Sequence, residues 1–111
     1  MAEKLIDFEE ALERLGGDED FLNELLHELL EQLDQNFEEI RRAINSKNYE
    51  ELKSLSHSLK GASANLNVKR MASRFLILED LGASKSVDGA TEVLNLIAQD
   101  RIELQDILSK N

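Results

Sequence analysis

Residues 18–47 have the sequence DEDFLNELLHELLEQLDQNFEEIRRAINSK, and this stretch decides the fold class of the chain. Its apolar residues recur at intervals of three and four positions, which places them on one face of an α-helix of about seven turns. That face comprises Leu22, Leu26, Leu29, Leu33, Phe37, Ile40 and Ile44. Asp18 is suited to cap the helix, which we expect to end near residues 45–47. A helix this long with a single apolar face requires partner helices to cover it.

The helical period continues upstream of this stretch, where a short amphipathic helix is predicted. Its apolar face comprises Phe8, Leu12 and Leu15. Asp7 stands three residues before Glu10, which is the spacing of a capping box, and Gly16-Gly17 is a stop signal. We therefore expect a first helix of about two turns that ends directly before the long one.

Downstream, the same period predicts three more helices and no strand. The third has the apolar residues Leu52, Leu55, Leu59, Ala62 and Leu66. We expect it to begin after Asn48 and to end near Asn67, because Asn tolerates the left-handed conformation of a tight helix stop. The fourth is predicted to close near Gly82, and the fifth to start at Ser84 or Ser86. Long helices joined by short loops favour an all-α, antiparallel up-down four-helix bundle, with the short additional N-terminal helix as a lid.

Length and composition restrict the classes of protein that the chain can belong to. A chain of 111 residues without Cys or Pro is predicted to form one domain, residues 1–111, with no disulfide framework. Its net charge of −10 disfavours nucleic acid and anionic membranes as partners. The longest apolar run, residues 75–78, is far too short to span a membrane. We therefore expect a soluble cytoplasmic protein, most simply a monomer.

The charge is distributed unevenly along the chain. Residues 41–74 carry a net charge of +6, and the rest of the chain carries −16. The expectation is that this basic segment forms one face that accepts an anion, while the acidic total belongs to the remaining surface.

His57 is the candidate functional residue, because it points away from the predicted core. At about 100° per residue, the apolar positions of the third helix lie on the side opposite His57. Lys53, Lys60, Gly61 and Ala64 lie on the same side as His57. An ammonium at i+3 is suited to pair with an anion at the ring, and a mid-helix glycine at i+4 leaves a gap through which a partner can approach.

Residues 57–66, HSLKGASANL, resemble the motif of the histidine-containing phosphotransfer domain family, and the likeness extends from residues 17–21 to Glu79. This resemblance implies that His57 accepts a phosphoryl group from the aspartate of a receiver domain and returns it to another receiver. It further implies that Lys60, with Lys53 nearby, offsets phosphoryl charge and that Gly61 keeps the approach open. The family commonly has Gly where this chain has Asn67, which affects the helix stop and not the motif.

The resemblance also defines the expected partners. These are receiver domains of response regulators or hybrid histidine kinases, which would supply their own Mg²⁺ and dock on Gly61, Ala64 and the apolar rim of the second and third helices. No cofactor is expected, and the chain would not be an enzyme by itself. Two alternatives stay open: an adaptor or inhibitor bundle that binds receivers or kinases without being phosphorylated, and a structural helical domain with a chance motif.

Two other polar residues require interpretation. Glu79 lies beside the apolar face of the fourth helix and, in an antiparallel hairpin, at a height similar to that of His57. We predict that its carboxylate accepts a hydrogen bond from one ring nitrogen, although a merely solvated Glu79 is the alternative. His27 stands in a Glu-x-x-His spacing with Glu24, but a di-iron bundle would need a second copy, so we interpret His27 as an ordinary boundary residue.

Overall fold

The computed structural model describes residues 4–110, and these residues form five α-helices. Helix α1 spans Phe8–Arg14, α2 spans Glu19–Ser46, α3 spans Tyr49–Asn65, α4 spans Lys69–Ala83 and α5 spans Ala90–Ser109. The 28 residues of α2 account for the longest dimension of the molecule, 42 Å, because an α-helix rises about 1.5 Å per residue. The predicted all-α fold with a short additional N-terminal helix is confirmed.

The four long helices form a closed ring around one apolar core. Helix α2 packs against α3 and α5, and α4 packs against the same two helices from the opposite side. The largest fully buried side chains come from all four: Leu22, Leu26, Leu33, Ile40, Leu52, Leu59, Met71, Phe75, Leu78, Leu94, Ile97 and Leu104. No helix within residues 4–110 is long and apolar enough to cross a membrane.

Local signals in the sequence account for most of the helix ends. The first three helices begin after the predicted N-cap residues Asp7, Asp18 and Asn48. The side chain of each accepts a hydrogen bond from the backbone N–H three residues later, at 3.0–3.2 Å. These bonds satisfy backbone donors that have no partner inside the helix. Asn67 adopts the predicted left-handed conformation, with a φ of 58°. The starts of α1, α2 and α3 and the stop after α3 are therefore determined locally.

The predicted start of α5 at Ser84 or Ser86 is wrong. The helix begins at Ala90, and Lys85 and Gly89 before it both have positive φ values, 55° and 77°. The hydroxyl of Ser86 accepts a hydrogen bond from the N–H of Asp88 at 3.1 Å, so this serine closes a turn instead of capping a helix. Serine forms both motifs, which is why its position alone did not distinguish them.

The N-terminal segment covers the end of the bundle where α3 turns into α4. Leu5 and Ile6 are buried there, and the N–H of Asp7 donates to the carbonyl of Asn67 at 2.9 Å. Lys69 at the start of α4 forms an ion pair with Glu10 of α1 at 3.1 Å. These contacts hold α1 as a lid over the α3–α4 turn.

Helix α5 contains a buried carboxylate that joins it to α4. The side chain of Asp100 is only 3% exposed and forms ion pairs with Arg70 at 3.0 Å and Arg74 at 2.7 Å. Arg74 also donates to the backbone carbonyl of Leu96 at 3.1 Å. Because Asp100 stands three residues after Ile97, in the apolar spacing of the helix, a charge at this position requires these cationic partners.

We predict that Asp100→Ala lowers the free energy of unfolding by about 3 kcal/mol, because Arg74 loses its carboxylate partner and Arg70 keeps only the exposed Glu103. Asp34→Ala is the matched control, since Asp34 is 54% exposed where it pairs with Arg101 and should contribute no more than about 1 kcal/mol. Urea unfolding of both variants measures the difference. Equal losses would show that Asp100 does not join the two helices.

Candidate functional site

The imidazole of His57 projects from the middle of α3 into solvent. Its side chain is 68% exposed, whereas Leu52 and Leu59 on the opposite side of the helix are buried. The ring therefore faces solvent, as the helical spacing of the apolar residues predicted. An exposed ring on a rigid helix is accessible to a reaction partner.

Glu79 on α4 lies beside this ring and contacts two residues of α3. Its Oε2 is 3.1 Å from Nδ1 of His57, and its Oε1 is 2.7 Å from Nζ of Lys60. The carboxyl side chain is 17% exposed, so Glu79 is held at the edge of the bundle by its neighbours and is not merely solvated. The antiparallel hairpin of α3 and α4 brings these residues to the same height.

The charge state of Glu79 determines which ring nitrogen of His57 carries the hydrogen. Hydrogen bonding from Lys60 lowers the pKa of the Glu79 carboxyl below its ordinary value of 4.5; burial opposes this, and the His57 hydrogen bond adds to it. The group is therefore ionised near neutral pH and can only accept hydrogen bonds. It follows that Nδ1 of His57 carries the hydrogen and that Nε2 of the neutral ring carries the free lone pair.

The contact with Glu79 changes the interpretation of Lys60. The sequence places an ammonium next to the imidazole, but the structure shows this ammonium ion-paired with the carboxylate. The positive charge of Lys60 is thus offset by the Glu79 carboxylate in this state. Lys53 is exposed on the same helix, one turn before His57.

The surface next to His57 is open on the side of Gly61. A Cβ added at Gly61 would meet nothing within 4 Å, so this glycine fulfils no packing requirement within residues 4–110. Ala64 is exposed one turn further along the helix. Between α2 and α3 lies a shallow groove of about 350 Å³, lined mainly by apolar side chains that include Leu25, Leu29 and Ala62. A partner that reached His57 would meet small side chains and an apolar groove.

Comparison with known protein families agrees with this geometry. The family model of the Hpt domain matches residues 24–110, which include all of α3, α4 and α5 and most of α2. The chain belongs to the Hpt domain family. Hpt domains take part in phosphotransfer in two-component phosphorelays and interact there with receiver domains. No curated protein shows significant sequence similarity to the chain.

His27 lies apart from the Hpt site. It is exposed on α2 among acidic side chains, which include Glu24, Glu28 and Glu31. Within residues 4–110, no group of three or more His, Asp or Glu side chains is arranged to hold a metal ion. The sequence predicted an ordinary boundary residue, and the structure places His27 on the exposed surface of α2.

The expectation of one basic face in this Hpt domain is wrong. Of the basic residues in 41–74, Arg70 and Arg74 pair with Asp100 on α5, and Lys69 pairs with Asp7 and Glu10. These cations face the other side of α4 or the lid, so they neutralise acidic groups of the scaffold. On α3, Lys53 and Lys60 lie on the same helix face as His57.

Sequence reasoning missed one residue near the site, Gly82 on α4. Helix α4 ends at Ala83, near Gly82 as predicted, but the sequence did not reveal that Gly82 is buried against the backbone of α3. Its position three residues after Glu79 was the available signal, because a glycine within a helix costs about 1 kcal/mol relative to alanine and requires an explanation.

We predict that Glu79→Gln changes the pH dependence of stability in the acid range. Because the pKa of Glu79 is lower in the folded state, its ionised form stabilises the fold above the unfolded-state pKa, and this contribution is lost as the pH falls through the folded-state pKa. The difference in unfolding free energy between wild type and variant should be constant above about pH 5.5 and shrink below it. Urea unfolding from pH 3 to pH 7 measures it. A difference that does not change with pH would contradict the assigned charge.

Proposed function

We propose that this Hpt domain is a phosphorelay intermediate in which Nε2 of His57 accepts a phosphoryl group from a receiver-domain aspartate and passes it to another receiver. The observation that supports this most directly is the contact of the Glu79 carboxylate with Nδ1 of His57. That contact leaves a lone pair on the second nitrogen of a solvent-exposed ring. A nucleophile in this orientation requires no base to remove a proton before it attacks.

The proposed transfer is an in-line displacement at phosphorus. The lone pair of Nε2 forms the P–N bond, and the P–O bond of the aspartyl phosphate breaks, so that its electron pair returns to the receiver carboxylate. The hydrogen on Nδ1 stays in place, and the positive charge that the ring gains faces the Glu79 carboxylate. The receiver's Mg²⁺ would neutralise charge on the phosphoryl oxygens. Onward transfer reverses these bond changes with a second receiver.

Lys60 has a switching role in this proposal. Its ammonium is 2.7 Å from Glu79 before transfer, and the flexible four-carbon side chain allows it to turn towards the phosphoryl oxygens afterwards. The ring that has become cationic then replaces Lys60 as the counter-ion of Glu79. Lys53 is the second cation suited to offset phosphoryl charge.

The proposed docking surface comprises Gly61, Ala64 and the apolar groove between α2 and α3. A contact of this type is modest in area and transient, which fits a protein that exchanges partners. The chain would not be an enzyme by itself, because the receiver supplies the carboxylates and metal ion. A single domain over residues 1–111, a monomeric state and a cytoplasmic location remain predictions.

Incubation with a phosphorylated receiver and Mg²⁺ tests the function. The wild type should acquire an acid-labile, alkali-stable label that is absent from His57→Ala. His27→Ala is the matched control and should be labelled like the wild type, because it removes the other histidine of the chain. A label that persists in His57→Ala would show that another residue is phosphorylated and would contradict the proposal. No label with any receiver tested would favour the adaptor, which binds without being phosphorylated.

The open surface at Gly61 gives a second test. Gly61→Ala should raise the free energy of unfolding by about 1 kcal/mol, because alanine is the better helix former and its Cβ meets no neighbour. Gly61→Gln should slow transfer from a receiver by about tenfold or more, because its side chain fills the gap that the partner enters. Phosphorylation by the small donor phosphoramidate should slow far less. An equal effect on both donors would rule out a role in docking.

A further inference from the structure

Gly82 marks the closest approach of α3 and α4. A Cβ built on this residue would lie 2.8 Å from the backbone nitrogen of Lys53 and 2.8 Å from the carbonyl oxygen of Tyr49. It would also lie 3.0 Å from Cα of Lys53. All three are backbone atoms of α3, so no side-chain rotation relieves the contact, and only glycine is compatible with this separation of the helices.

This contact lies one helical turn from the Glu79–His57 pair. Gly82 follows Glu79 by three residues on α4, and Lys53 precedes His57 by four residues on α3. Because the helices are antiparallel, the Gly82–Lys53 contact and the Glu79–His57 contact are consecutive along the same helix pair. The distance between the backbones at the first contact therefore affects the distance between the side chains at the second.

We propose that Gly82 is a positioning residue, which sets the separation of α3 and α4 at which the Glu79 carboxylate reaches Nδ1 of His57. The proposal rests on the proposed phosphotransfer function for its consequence, because the Glu79 contact determines which ring nitrogen is free to react. Gly82 itself touches neither the ring nor the phosphoryl group. It acts through the spacing of the two helices.

The distances show that a small increase in the separation of α3 and α4 would break the hydrogen bond between Glu79 and His57. Ordinary contact for a Cβ begins at 3.4 Å, so an alanine at Gly82 requires the backbones to move apart by about 0.6 Å. The Glu79–His57 contact of 3.1 Å is already near the upper end of normal hydrogen-bond lengths, about 3.2 Å. Lys60 can follow a displaced Glu79, because its side chain has four rotatable carbons. The short imidazole side chain cannot, so the His57 hydrogen bond should be lost first.

The test compares Gly82→Ala with Ile97→Val. The control removes one methyl group from a buried side chain on α5 and costs about 1 kcal/mol without changing the α3–α4 spacing. Nitrogen-15 spectra of the His57 ring report which nitrogen carries the hydrogen. Wild type and Ile97→Val should show the hydrogen mainly on Nδ1, whereas Gly82→Ala should show a mixture of the two tautomers.

Phosphorylation of His57 by a phosphorylated receiver is the second readout. The rate should fall about tenfold in Gly82→Ala and stay within twofold of wild type in Ile97→Val, because a misplaced reacting group slows transfer more than a loss of stability does. Unchanged tautomer populations and an unchanged rate in Gly82→Ala would overturn the proposal. A slower rate with unchanged tautomer populations would also overturn it, since the effect would not pass through Glu79.

The test still gives an answer if the wild type is inactive or if the Gly82→Ala variant is unstable. If the wild type accepts no phosphoryl group, the proposed function fails, and the tautomer spectra still decide whether Gly82 positions Glu79. If Gly82→Ala unfolds at 25 °C, the spectra are recorded in trimethylamine N-oxide, which favours the folded state, and the same outcomes apply.

Discussion

The packing of α4 directly against the backbone of α3 is the constraint on which the rest of the site depends. Gly82 permits this approach, and the short separation brings a carboxylate of one helix to the imidazole of the other. Glu79 is then shared between His57 and Lys60, both on α3. A single ionised group thereby orients the ring and holds the nearby cation in place, and neither effect is available to α3 alone.

The distribution of charge follows from the same packing. Most of the paired cations in the basic segment neutralise carboxylates of neighbouring helices, as Arg70 and Arg74 do at Asp100. These pairs join α4 to α5 on the side away from His57. The surface around the ring is therefore only weakly basic, and its positive charge depends on whether Lys60 is paired with Glu79. This arrangement is compatible with the proposed transfer of a phosphoryl group to and from His57.

The fold was largely predictable because local rules determine most of it. The apolar period of residues 18–47 defines one face of α2, and cap residues such as Asp18 and Asn48 define where helices begin. The start of α5 was not predictable in the same way. Ser86 has the chemistry of a helix cap and of a turn, and the structure shows it in a turn, where its hydroxyl accepts a hydrogen bond from the N–H of Asp88.

The exposure of His57 on the third helix beside Lys60 and Gly61 could be predicted from the sequence, because helical periodicity relates residues within one element. The sequence also predicted that Glu79 lies at a height similar to that of His57 in the antiparallel hairpin. The packing of α4 on α3 was needed to show that Glu79 contacts both His57 and Lys60, and that Gly82 lies against the backbone of α3. Distances between helices depend on how their surfaces fit together, and a pattern along one chain does not contain that information.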